Sequence, residues 1–186
     1  MSTDGVIQAP GRSDEDTRGG FDRGGWAVPY NDEVMAQRMA EGMSSSGTML
    51  FGRRTYQDFY GYWPQQTDNP FTPYLNQATK YVVLSTLSEP LPWENSILLP
   101  GDPAASVAQL KSDPGPDLGI VGSAQLVRSL LAAKLIDRYV LLIHPLVLGQ
   151  GRRLFDDRGP DEDFELVDSV VTPKGVIITT YEPASS

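Results

Sequence analysis

The chain has 186 residues, a formal net charge of -9, no cysteine and a single histidine, His144. With 40% hydrophobic and 21% charged residues it reads as one globular domain over 1–186, large enough for one substantial core. The acidic balance argues against nucleic acid or an anionic membrane as partner, the missing thiols exclude disulfides and thiolate chemistry, one histidine excludes a polyhistidine metal site, and with no signal peptide or bilayer-length apolar run the default location is cytoplasmic.

Val6 and Ile7 read as the end of a first strand. Ala9 to Tyr30 follows no helical or strand period and is dense in Gly, Asp and Arg. A loop of that length is functional or disordered. Phe21, Trp26 and Tyr30 interrupt it, either as stacking groups of a lid that closes over a ligand or, for Trp26, as an anchor onto the core. Asn31 is the expected cap of a helix to about Met43, with Asp32 and Glu33 in its first turn. Met35, Met39 and Met43 form a four-residue stripe that predicts core packing.

Met49–Phe51 predicts a strand, Gly52 a tight exit and Thr55 the start of a helix that Trp63-Pro64 ends. Arg53 and Arg54 at the junction form an oxyanion clamp or are two solvated arginines. Phe71–Ala78 predicts a short helix and Lys80–Leu84 a strand that stops at Ser85-Thr86. Ligands of open α/β sheets bind off such carboxyl ends, although Ser and Thr also simply begin turns. Asn95–Leu99 reads as a strand, Ala104–Lys111 as a helix, and Asp113-Pro-Gly-Pro as a break.

Leu118–Val121 predicts a short buried strand, Gly122–Ser123 a turn, and Ala124–Ala133 a helix with Leu126, Leu130 and Leu131 on one face. Ser123 is the expected N-cap, and Gly122 lets another molecule approach the backbone closely. Free amides and a partial positive charge at such a helix start suit an anion; a β–α turn that merely needs small residues has the same appearance. Arg138–His144 reads as a strand buried on both faces. Phe164–Val171 and Val176–Tyr181 pair across Thr172-Pro-Lys-Gly as a hairpin. Strands alternating with helices, then a hairpin, define an α/β fold with a mostly parallel sheet and an antiparallel edge.

Three strand ends thus carry phosphate-friendly residues: Gly52-Arg53-Arg54-Thr55, Ser85-Thr86 and Gly122-Ser123-Ala124-Gln125. Together they suggest an extended ligand with several phosphates, such as a dinucleotide. Gly149-Gln-Gly151 follows no clear strand–helix junction and is not a dinucleotide fingerprint.

In order, FGRRTY, YVVLST, GIVGSAQLVRSLL and IDRYVLLIHPLVLGQGRRLF resemble the dihydrofolate reductase-like superfamily. Within it they are closest to the C-terminal reductase domain of the riboflavin-biosynthesis deaminase/reductase, here without the deaminase zinc motif. The resemblance implies a three-layer fold and NADPH along the strand ends. Arg53, Arg54, Thr55, Ser85 and Thr86 would fall near the adenosine phosphates, Gly122, Ser123, Ala124, Gln125 and Leu126 under the pyrophosphate, and Gly52 also among the cofactor-binding residues. It implies hydride transfer to a small heterocyclic substrate, similar to 5-amino-6-(5-phosphoribosylamino)uracil reductase. The alternatives are a pterin or folate-type reductase, or a nucleotide-binding module without catalysis.

By the same resemblance Asp4 lies beside the nicotinamide and substrate pocket and Asp32 is the candidate acid. Trp26, Tyr30 and His144 fall on the substrate side, although His144 also reads as a satisfied core histidine. No metal is implied, and the partners are a small-molecule substrate and a second copy in a homodimer. Relatives carry several apolar residues before the Ser-x-Asp-Gly motif, where this chain has only Met1. A shortened central strand with exposed ladder groups, and so lower stability, or else a start further upstream, is therefore expected.

Overall fold

The computed structural model describes residues 1–83, 90–155 and 159–184. The chain divides into two compact units, Met1–Met39 with Ile136–Ser186, and Ala40–Leu135. Helix α1 (Glu33–Ser46) starts in the first unit and ends in the second.

In the second unit β1 (Thr48–Gly52) runs into α2 (Arg53–Tyr60). After α3 (Phe71–Gln77) come β2 (Thr79–Val83) and β3 (Ser96–Leu99), then α4 (Pro103–Ser112), β4 (Leu118–Ile120) and α5 (Ala124–Ala132). The four strands form a parallel sheet in the order β3-β2-β1-β4, which the helical crossovers between them make possible. Alternation along β1 aims Met49 and Phe51 at one face, where they pack with Tyr56 of α2, Leu75 of α3, Val82 and Trp93.

Lys80 shares its strand face with Val82 and is completely buried. Its Nζ donates to the carbonyls of Asn76 (3.1 Å), Ala78 (2.7 Å) and Glu94 (3.0 Å) and sits 4.6 Å from the Trp93 ring centre. The Trp93 amide donates to the Tyr56 hydroxyl (3.0 Å), which reaches Ser96 Oγ at 3.1 Å. The knot therefore ties the approach to β3 onto α2.

In the first unit β5 (Tyr139–Ile143), β6 (Phe164–Val171) and β7 (Ile177–Pro183) form an antiparallel sheet in the order β5-β7-β6. The Thr172–Gly175 turn closes through Thr172 N–H to Val176 O (2.9 Å) and Gly175 N–H to Thr172 O (2.9 Å). Met35 of α1 packs on Val176 and Ile178. At the amino end Ser2 makes a parallel bridge to His144 and Val6 an antiparallel one to Arg153. Ile7 N–H to Arg152 O (2.8 Å) and Leu154 N–H to Gly5 O (3.0 Å) extend the second contact.

The structure departs from the sequence reading at several points. Asp32, not Asn31, caps α1: its Oδ1 accepts from the Met35 amide at 3.0 Å. Met35 is core, but Met39 is 44% exposed, so the stripe is not one packed seam. α2 begins at Arg53 rather than Thr55. β4 is half-buried because it lies at an edge of the four-stranded sheet. β5 is likewise an edge strand, and Val140 on it is 55% exposed, so it is not buried on both faces. The Ala9–Tyr30 loop contains 3-10 turns at Arg18–Gly20 and Val28–Tyr30. Phe21 and Trp26 in it are buried with Val6, Ala9 and Leu148, as anchors of the loop.

Candidate functional site

The carboxyl ends of β1 and β4 lie side by side, with Leu50 opposite Ile120, and Gly52 is opposite Val83 of β2 on the other side. Two helices start there. Gly52 is extended (φ -81, ψ 158) and hands over directly to Arg53, Arg54 and Thr55 in the first turn of α2. Both arginines are exposed. At the second start, Gly122 (φ +66) and Ser123 (φ +61) turn the chain through two left-handed residues into α5. The first helical bond of α5 is Val127 N–H to Ser123 O at 3.0 Å, so the amides of Ala124, Gln125 and Leu126 lie ahead of it. Neither helix has an acidic residue in its first turn, where Asp or Glu ordinarily meets the dipole. In a chain of net charge -9 this edge gathers two helix starts and two arginines.

Ser123 occupies the cap position, but its side chain does not cap. Its hydroxyl instead accepts from the Gly52 amide (3.1 Å) and bonds Thr55 Oγ1 (2.7 Å). The sequence gives no signal for this link, because the partners stand about seventy positions apart and only the pairing of β1 with β4 brings them together. Gly52, Arg53, Arg54 and Thr55 thus meet Gly122 to Leu126 at one sheet edge. Ser85 and Thr86 lie outside the described residues.

Amide donors, a hydroxyl pair and two guanidinium groups fit the oxygens of a phosphorylated coenzyme. No group of three or more His, Asp or Glu side chains able to hold a metal ion occurs among the described residues.

In the first unit Trp26, Tyr30 and His144 form one cluster. The His144 ring stands edge to face with Trp26 (5.2 Å between centres) and Tyr30 (5.7 Å). His144 is buried, and burial pushes its imidazole below the ordinary value. Nδ1 faces the carbonyls of Met1 (3.2 Å) and Leu142 (3.1 Å), so in the neutral ring the proton belongs there. Nε2 is then an acceptor, and it has no partner among the described residues. Trp26 Nε1 donates to Gln8 O at 2.8 Å.

Asp4 and Asp32 are each held by several hydrogen bonds. The Asp4 carboxylate accepts from the Ser2 hydroxyl (2.7 Å) and from the amides of Leu148 (3.1 Å) and Gly149 (2.9 Å). Those bonds, the Ser2 hydroxyl first, keep it well below the usual carboxylate range. Arg153 adds Nε to Asp4 O at 2.7 Å and a guanidinium 3.5 Å from the carboxylate. Asp32 accepts from the Met35 amide and from the Lys174 amide (3.2 Å), and its carboxyl too is lowered, mainly by the Met35 bond. Both are anions at neutral pH, one pinning the 148–149 loop and the other joining α1 to the hairpin turn.

Among solved structures the chain is similar to a candidate riboflavin biosynthesis protein from Shewanella sp. PV-4, with TM-score 0.76 and 23% identity, covering 100% of this chain and 96% of that one. It is also similar to the dihydrofolate reductase from Enterococcus faecalis complexed with NADP(H), with TM-score 0.62 and 15% identity over 100% and 93% of the two chains. The parallel sheet with its flanking helices and the separate antiparallel sheet are a dihydrofolate reductase-like α/β fold. Residues 1–178 match the RibD C-terminal domain family, and the chain belongs to that family. Among curated proteins it is 29% identical over 140 residues to the uncharacterized protein YyaP of Bacillus subtilis (strain 168), a stretch that covers 72% of each chain. No helix among the described residues is long and apolar enough to cross a membrane.

Proposed function

We propose that this chain is an NADPH-dependent reductase of a small heterocyclic substrate, akin to 5-amino-6-(5-phosphoribosylamino)uracil reductase. The observation that carries the coenzyme half is the shared edge of β1 and β4. There two helix starts without acidic residues, together with Arg53, Arg54 and Thr55, offer donors for several phosphates. The nicotinamide, when bound, supplies the hydride chemistry. The chain's own residues would hold the coenzyme: the α5 amides would bind the pyrophosphate, and Arg53, Arg54 and, as part of the proposal, Ser85 and Thr86 would bind the adenosine phosphates.

Trp26, Tyr30 and His144 are the substrate-side residues of this proposal, of which the half-buried Tyr30 is the accessible one. Asp4 and Asp32 take part as anions that hold their loops in place, so the proton that accompanies hydride transfer comes from another donor. The proposal includes a single functional domain, a cytoplasmic location and a homodimer. Exposed Val140, Leu166, Val167, Val171 and Ile177 on the antiparallel sheet support the homodimer.

Titrating the protein with NADPH and with NADH by tryptophan fluorescence tests the coenzyme half. Saturable binding, tighter for NADPH and at least tenfold weaker in Arg53→Glu/Arg54→Glu, is the expected result; no saturation in the wild type refutes it. A second reading, a nucleotide-binding module without turnover, is favoured by the two carboxylates being held as hydrogen-bonded anions. NADPH binding with no loss of its absorbance across pyrimidine, pterin and flavin substrates would decide for that module.

A further inference from the structure

We infer that Ser123 is a positioning residue whose hydroxyl clasps the two phosphate-binding turns together before the coenzyme arrives. The inference rests on the NADPH reading above and concerns how that site is built.

The clasp is defined by three groups. Ser123 Oγ accepts the Gly52 amide at 3.1 Å and lies 2.7 Å from Thr55 Oγ1. One contact holds the last residue of β1 and the other the first turn of α2, while Ser123 itself leads into α5. A single side chain therefore sets where one row of helix-start amides stands relative to the other.

The space around it is cut to this purpose. A Cβ on Gly52 would stand 3.3 Å from Ser123 Oγ, and one on Gly122 would stand 3.6 Å from Thr55 Cγ2. The missing side chain of Gly52 lets the turns approach, whereas at Gly122 a Cβ would make ordinary contact and φ +66 is what favours glycine. Ser123 holds φ 61 and ψ 55, a left-handed conformation that disfavours any residue with a Cβ. Glycine would suit the backbone better, so the hydroxyl is what this position gains from serine. Backbone strain of this sort, retained for a side-chain contact, is characteristic of functional sites.

The hydroxyl pair also has a polarity. Two O–H protons serve one hydrogen bond between Ser123 and Thr55. With Ser123 as donor to Thr55 Oγ1, the Thr55 proton has no acceptor among the described residues and remains for a phosphoryl oxygen. Ser123 thus acts through Thr55 and the Gly52 amide.

Ser123→Gly tests this, because it suits the backbone and deletes only the clasp. Expected are a melting temperature at or above wild type, NADPH binding weakened about tenfold by fluorescence titration, and a KM for NADPH raised more than kcat falls. Without coenzyme, hydrogen exchange at the Gly52 amide should quicken. Thr55→Val should weaken binding as well, and the double variant should lose less than the sum, since the two act as one unit. Wild-type affinity in Ser123→Gly, or Gly52 exchange unchanged, overturns the inference while leaving the coenzyme reading intact. Failure of the wild type itself to saturate with NADPH removes both.

Discussion

Replacing Lys80 by methionine separates what the buried ammonium costs from what it holds. Lys80 has no exposed surface, and burial pushes its ammonium from 10.5 down to about 8, against the upward pull of Glu94. At pH 7 the folded state therefore carries about 3 kcal/mol for keeping it charged. The Lys80→Met variant would be relieved of that cost but would strip the donor from Ala78 O and Glu94 O; Asn76 O keeps the Asn95 side-chain amide at 3.0 Å. Two buried carbonyls left short of a donor cost about 1–3 kcal/mol each, so the terms largely offset and the variant lies within about 2 kcal/mol of wild type at pH 7.

The pH dependence is the cleaner signature. Between about 8 and 10.5 the unfolded chain holds the Lys80 proton and the folded one has released it, so this residue's contribution to stability rises with pH. From pH 7 to about 9.5 the gain is about 2 kcal/mol, present in wild type and absent in Lys80→Met. Tyr139 acts with the opposite sign above its ordinary 10.0, because burial raises its phenol to about 12, so the series stops short of that value. Urea unfolding of both proteins across this range is the assay. A difference between them that does not change with pH refutes the argument. The outcome bears on function because the knot braces α2 through Trp93 and Tyr56, and α2 presents Arg53, Arg54 and Thr55.

Gly151 has φ +113, and a Cβ there would stand 2.7 Å from Val6 Cγ1 and 2.8 Å from Phe21 Cε2; Gly151→Ala should cost about 3 kcal/mol or more in urea unfolding. Asp4→Asn turns one oxygen into a donor facing an amide donor. It should lower stability by about 2 kcal/mol at neutral pH and speed hydrogen exchange at Leu148 and Gly149. The lowered Asp4 carboxyl stabilises the fold above the usual carboxylate range, and that contribution is lost as pH falls through it; the acid-unfolding curve of the variant should be flatter. Asp32→Ala should fray the first turn of α1 by circular dichroism, and kcat should show no loss of an acidic-limb pKa, since Asp32 is already an anion.

Much of the fold was legible because the signals are local. The hydrophobic runs at Met49–Phe51 and Tyr139–Ile143 and the Thr172–Gly175 turn announce their own conformation. Element ends were less legible: Asn31 and Asp32 are both good caps, and only the Met35 amide chooses between them. Lys80 did leave a trace, since period-two alternation puts it on the face of Val82, but a lysine beside a valine names no partner. The loop of Ala9–Tyr30 read either as a lid or as anchored by Trp26, and the bonds that hold it, through Gln8, Trp26 and Arg152, had no local signal.

The order of strands and helices, the glycines at the turns and the anion-friendly residues after β1 and β4 belong to the sequence, because each depends on neighbours a few positions away. Whether Ser123 caps its helix or reaches across to Gly52, and which amides the Asp4 carboxylate meets, depends on groups remote in the chain. Hydrogen-bond partners act over about 3 Å of space, so the pairing of strands, which sequence distance does not specify, decided those roles.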